Sequence, residues 1–110
     1  MDTPGYDPAS ITGMVAGGAN MLVFTTGRGS CFGCKPVPCI KVSTNTTMYE
    51  HMIDDMDLNA GTILEGASVA DVGHQLFEQI IEVASGQKTK SELTGVGEEE
   101  FAPWGIGPTL

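Results

Sequence analysis

Between Pro8 and Tyr49 the sequence contains no aspartate and no glutamate. Cations are scarce too: five in 110 residues, against fourteen acids, for a net charge of −9. That balance argues against a nucleic-acid partner. Aromatic residues make up 6% of the chain, with a single tryptophan. No apolar run approaches the roughly 20 residues of a membrane helix. The start, "MDTPGYDP", has neither the basic nor the apolar region of a signal peptide, and none is expected. Cysteine is limited to three residues, an odd number without secretory context, so reduced thiols and a cytoplasmic setting are expected.

The missing acids are compensated further along. From Glu50 to Leu110 there are twelve acids and two lysines, whereas Arg28, Lys35 and Lys41 all lie in the acid-free segment. Such a segment is suited to receive an anionic group. Length sets one domain, and 41% apolar residues make it globular.

"DPASITGMVAGGAN" predicts a helix with Asp7 as N-cap, Pro8 in the first helical position and Gly17-Gly18 as the stop. "MLVFTT" is a continuous apolar run, expected to form a central parallel strand buried on both faces. "CIKVST" predicts a second strand, and "TNTTMYEHMIDDM" a helix capped by Thr44 or Asn45. "DLNAG" reads as a turn. "SVADVGHQLFEQIIEVASG" predicts a long helix, with Ser68 and Asp71 at capping-box spacing. Its apolar stripe is Val69, Val72, Leu76, Phe77, Ile80, Val83 and Ala84, and Gly86 closes it. The ending "FAPWGIGPTL" would dock on a neighbour or, left exposed, drive self-association into a homo-oligomer. The fold class is therefore α/β: a small layered domain with a short, mostly parallel sheet flanked by helices.

The chemistry concentrates in "FTTGRGSCFGCK", Phe24 to Lys35. A nucleotide loop is disfavoured, because the glycine spacing is wrong and Pro36 and Pro38 replace the required helix. Cys31 and Cys34 form half a zinc site, but Cys39 is poorly spaced to complete it. His51 and His74 fall on separate predicted helices, and His74 reads as a semi-exposed helical histidine. A redox pair would need a helix after the first cysteine. Buried or half-buried thiols without chemistry are preferred. Two readings of the glycines stay open. One is a plain turn with a solvated arginine. The other is an organic-anion loop at a strand's carboxyl end. There Arg28 would grip a carboxylate with its planar fork, Thr25 and Thr26 would meet ligand hydroxyls, and Gly27 and Gly29 would admit close backbone approach.

The motifs "MDTPGYDPASITGMVAGGANMLVFTTGRGS", "KVSTNT", "DLNAG", "VASGQKTKSE" and "EFAPW" resemble, in that order, the C-terminal part of the altronate/galactarate dehydratase family. The resemblance covers essentially residues 1–110 and implies a piece of a larger multidomain enzyme. An N-terminal small β domain and a large middle domain would be its missing partners. It implies a hydro-lyase of sugar-acid catabolism that converts galactarate or altronate into a 2-keto-3-deoxy acid. A sulfolactate sulfo-lyase shares the family. Ferrous iron is implied for the full-length enzyme, with no metal expected on this domain alone. A cysteine at the Cys34 position resembles the altronate-like branch. On this reading the substrate-binding residues are Thr25, Thr26, Gly27, Arg28, Gly29, Asp57 and Asn59. Lys41 is a candidate catalytic or charge-partner residue. For Lys41 a surface strand lysine, and for Asp57 and Asn59 plain turn residues, are the competing readings. The contrasting functional class is a non-catalytic interface or scaffold module. The isolated domain is expected to be inactive.

Overall fold

The computed structural model describes residue 3 and residues 5–96. The ending "FAPWGIGPTL" lies outside the described residues.

Helix α1, Asp7–Ala16, carries a proline in its first turn, where no intrahelical N–H is required. Its N-cap is Tyr6, with no side-chain cap bond, so Asp7 sits one position inside the helix rather than capping it. There its charge still complements the positive helix end. Strand β1, Leu22–Thr26, and strand β2, Cys39–Ser43, pair in parallel, with Leu22 opposite Cys39 and Thr26 opposite Ser43. Strand β3 is two residues long, Leu58–Asn59, and pairs in parallel with Val42 and Ser43. The predicted "DLNAG" turn is thus partly a strand. It leads into a 3-10 helix, Ala60–Glu65, which Asn59 caps by accepting the Gly61 N–H at 2.9 Å. Gly61 is required for space, because a Cβ there would run into the backbone of Asn45 and Thr46.

The sheet order β1-β2-β3 makes β2 the central strand and β1 an edge. The expectation of a central β1 buried on both faces is corrected accordingly: Val23 is 42% exposed. Alternation along the strands explains why. Leu22 and Cys39 join Ile11 of α1 and Phe32, Cys34 and Val37 of the β1–β2 connection in one core cluster. Ile40 and Val42 point the other way and pack with Val83, Leu76 and Ile80. Those three residues belong to α3, Val69–Ala84, which lies over β2 and β3 and leaves Val23 uncovered. The β1–β2 connection is therefore a core-covering layer, which buries the Cys34 thiol, while Cys39 is buried within β2 and Cys31 stays exposed.

Helix α2, Thr46–His51, is capped by Asn45 and is shorter than the predicted run to Met56. Helix α3 begins at Ser68, whose hydroxyl accepts the Asp71 N–H at 3.0 Å, and Gly86 terminates it at φ +116°. Its predicted stripe is only half covered: Val72 and Val83 are buried, whereas Val69 and Phe77 remain 70% and 59% exposed. Phe77→Ser is therefore expected to shift stability by no more than about 0.5 kcal/mol. A larger loss in a urea titration of the domain would mean that Phe77 is packed. A short helix, α4, Lys90–Thr94, follows, which is not among the elements expected from the sequence. Thr89 and Glu92 form its capping box. Among the described residues no helix is long and apolar enough to cross a membrane.

Candidate functional site

Parallel pairing brings Thr26, Ser43 and Asn59 level at the carboxyl end of the sheet. The chain leaves β1 there and forms the Gly27–Ser30 loop. Neighbours hold that loop residue by residue. The Thr26 carbonyl accepts the Thr44 N–H at 3.0 Å and the Thr44 hydroxyl at 3.3 Å. The Gly27 carbonyl accepts from Asn45 Nδ2 at 2.9 Å. Thr26 Oγ1 accepts the Gly29 N–H at 3.1 Å, closing a tight turn around Arg28. The Ser30 carbonyl accepts from Lys41 Nζ at 3.2 Å. Gly29 has φ +98°, a left-handed conformation that favours glycine, and a Cβ there would also push aside the flexible Met52 side chain.

Arg28 is the exception in this loop. Its side chain is exposed and has no hydrogen bond or ion pair among the described residues. A hydrogen-bonded turn thus presents a guanidinium with no partner among the described residues at the carboxyl edge of a parallel sheet, where α/β folds place ligands. Thr25 is exposed on the α3 side of β1, whereas Thr26 points to the α1 side and its oxygen is already engaged with Gly29.

The remaining candidates divide. Asn59 shares the edge but is used internally, its Nδ2 donating to Thr46 Oγ1 at 3.1 Å. Asp57 faces backwards: Oδ2 accepts the Lys41 N–H at 2.8 Å and Oδ1 the Lys90 N–H at 2.9 Å. Its carboxylate joins β2 to the start of α4. Lys41 is not a surface lysine. It has no solvent exposure, and its ammonium lies beneath the loop against the Ser30 carbonyl. Sequence reasoning missed Thr44 as a loop support, and it took Asn45 for a helix cap alone.

Two of the three thiols, Cys34 and Cys39, are buried. Burial pushes Cys39 up from 9.0 to about 12, with the Lys41 charge acting the other way, and burial also raises Cys34. Iodoacetamide at neutral pH is expected to label the exposed Cys31 and spare Cys34 and Cys39 until the fold opens. Rapid labelling of all three would contradict the packing. The linkage has a definite sign. Unfolded Cys39 ionises near 9 and the folded thiol near 12. Stability is therefore fully present below about pH 9 and falls between about 9 and 12, by at most about 1.4 kcal/mol per pH unit. The fall should flatten in Cys39→Ala.

Among the described residues no three of His, Cys, Asp and Glu gather closely enough to hold a metal ion. These donors do not fit the ferrous ion that the resemblance implies. His74 instead pairs with Glu78 on α3 at 3.0 Å, both well exposed.

Residues 1–109 match the family model described as D-galactarate/altronate dehydratase, C-terminal. The chain is 46% identical to the galactarate dehydratase (L-threo-forming) of Escherichia coli K12, over 78% of this chain and 17% of that protein. It is 39% identical to the altronate dehydratase of Bacillus subtilis 168, over 100% of this chain and 22% of that protein. It is 30% identical to the (2R)-sulfolactate sulfo-lyase subunit beta of Chromohalobacter salexigens, over 86% of this chain and 25% of that protein. The chain thus spans about a fifth of the length of the two dehydratases. With the glycine-arginine loop at the sheet edge and a match along nearly all of its length, the chain belongs to the D-galactarate/altronate dehydratase family, as its C-terminal domain.

Proposed function

We propose that this domain supplies the carboxylate-binding loop of a cytoplasmic hydro-lyase that dehydrates a sugar acid, galactarate or altronate, to a 2-keto-3-deoxy acid. The observation that carries the reading is Arg28, exposed and without a partner among the described residues, on a loop whose other members are fastened. Elimination of water beside a carboxylate requires a base for the α-proton and an acid for the departing hydroxyl. The enolate that forms carries its own charge beside that of the carboxylate, and fixed cations stabilise it more than the ground state. Arg28 holds both carboxylate oxygens and sets the α-carbon's position. The exposed Thr25 hydroxyl meets the polyol, with Thr26, Gly27 and Gly29 keeping the turn in shape. Lys41 adds fixed positive charge from beneath the loop, and Asp57 and Asn59 hold the strand ends that frame it. In the full-length enzyme the donors for an iron would lie outside the described residues, on the preceding domains.

The similarity to a sulfo-lyase subunit supports a second reading of the leaving group. Sulfolactate also carries a carboxylate, so the role of Arg28 is the same in both. The proposal is tested by assaying the purified domain and a full-length dehydratase that carries it, with ferrous iron and altronate or galactarate, free of oxygen. Product is expected from the full-length enzyme alone. Product from the domain above the no-protein control would place the whole catalytic site within these residues.

A further inference from the structure

Asn45 is half-buried between β2 and α2, and its side chain is used at both ends. Oδ1 accepts the Met48 N–H at 2.8 Å, which caps α2. Nδ2 donates to the Gly27 carbonyl at 2.9 Å. The planar amide satisfies both partners in one orientation only, since a flip would set donor against donor and acceptor against acceptor. Its backbone is fixed as well. Ser43 Oγ donates to the Asn45 carbonyl at 2.6 Å, and the close approach of Gly61 leaves Asn45 no room to retreat.

The Gly27 carbonyl belongs to the same peptide plane as the Arg28 nitrogen. Fixing that oxygen fixes the direction in which Arg28 leaves the backbone. Serine and aspartate cap helices about as well as asparagine, but neither carries an amide donor. The cap alone therefore does not call for asparagine, whereas the link to Gly27 does.

We propose that Asn45 is a positioning residue for substrate binding: it aligns the Arg28 loop with α2 so that the guanidinium meets the carboxylate in bidentate register. This rests on the reading of Arg28 as the carboxylate ligand. Lys41, donating to Ser30 O, holds the other end of the same loop.

The test uses a full-length dehydratase carrying this domain, with Asn45→Ser, Arg28→Ala and the double variant. Asn45→Ser keeps the cap, so its urea midpoint should match the parent. Its KM for the sugar acid should rise roughly tenfold, with a smaller change in kcat, because misplacement of a binding group is felt steeply. Combined with Arg28→Ala it should add almost nothing, since the two act through one contact. Asn45→Ala should lower the midpoint as well, because the cap is lost. Unchanged kinetics in Asn45→Ser, or full additivity with Arg28→Ala, would overturn the positioning role. A lowered midpoint with unchanged KM would do so too, by making Asn45 purely structural. Should Arg28→Ala itself leave KM and kcat/KM untouched, the carboxylate reading fails instead, and the two failures are told apart by that variant alone.

Discussion

Arg28→Lys in a full-length dehydratase carrying this domain is expected to lower kcat/KM by more than about tenfold, or about 1.4 kcal/mol. The charge survives this substitution and the fork does not. A lysine makes a point contact with one carboxylate oxygen, whereas the guanidinium spans both and fixes the plane of the carboxylate. The loop sharpens the expectation. With Gly27, Gly29 and Ser30 fastened by Asn45, Thr26 and Lys41, the backbone has little freedom to compensate for a shorter reach or a different shape. Arg28 is exposed and has no bond to the described residues, so a loss of activity would not reflect a loss of fold. Near-parental kinetics would leave a plain glycine turn with a solvated arginine.

Asp57→Ala is expected to have the largest effect on stability. It removes a carboxylate that accepts the backbone N–H groups of Lys41 and Lys90. Lys41 lies at the centre of the sheet with no solvent exposure, so its N–H would lose its partner with no water to replace it. A buried donor left unpaired costs about 1–3 kcal/mol, and hydrogen bonds to charged acceptors lie toward the upper end. Asp57 is itself only half-buried, which discounts the second contact. A loss of about 2–4 kcal/mol is expected in urea unfolding of the domain. Asp57→Asn, which keeps one acceptor, should cost less. A loss below about 0.5 kcal/mol in Asp57→Ala would return Asp57 to the role of a turn residue.

The elements with strong local signals were legible in the sequence. α1, β1, β2 and α3 follow from proline and serine near helix starts, glycine at helix ends, and apolar period. What was not legible depends on partners in space. The continuous apolar run of β1 reads as buried on both faces, but α3 covers β2 and β3 instead. A two-residue strand such as β3 has no periodicity of its own and exists through its register with Val42 and Ser43. α4 has Thr89 and Glu92 at capping-box spacing, but five residues are too few for an apolar period to announce a helix.

In the site, the turn Thr25 to Gly29 stands out by composition, and the carboxyl end of a parallel strand is where it lies. The support beneath it does not stand out. A lysine within a strand usually marks a solvent face, and Lys41 is buried only because the Phe32 to Val37 connection passes over that side of the sheet. Asp57 in a glycine-bearing turn reads as a local hydrogen bonder, whereas its partners are 16 and 33 residues away in the chain. Asn45 announces a helix start, and its second bond, 18 residues back to Gly27, has no local trace.

The central claim, that Arg28 is the carboxylate ligand, is tested most directly by a crystal structure of a full-length dehydratase carrying this domain with an unreactive sugar-acid analogue bound. The account predicts both oxygens of one analogue carboxylate at about 2.7–2.9 Å from the Arg28 guanidinium nitrogens. The Gly27 carbonyl should still be held by Asn45 in that complex. An analogue bound with its carboxylates on other cations, and Arg28 turned to solvent or paired with another domain, would contradict it.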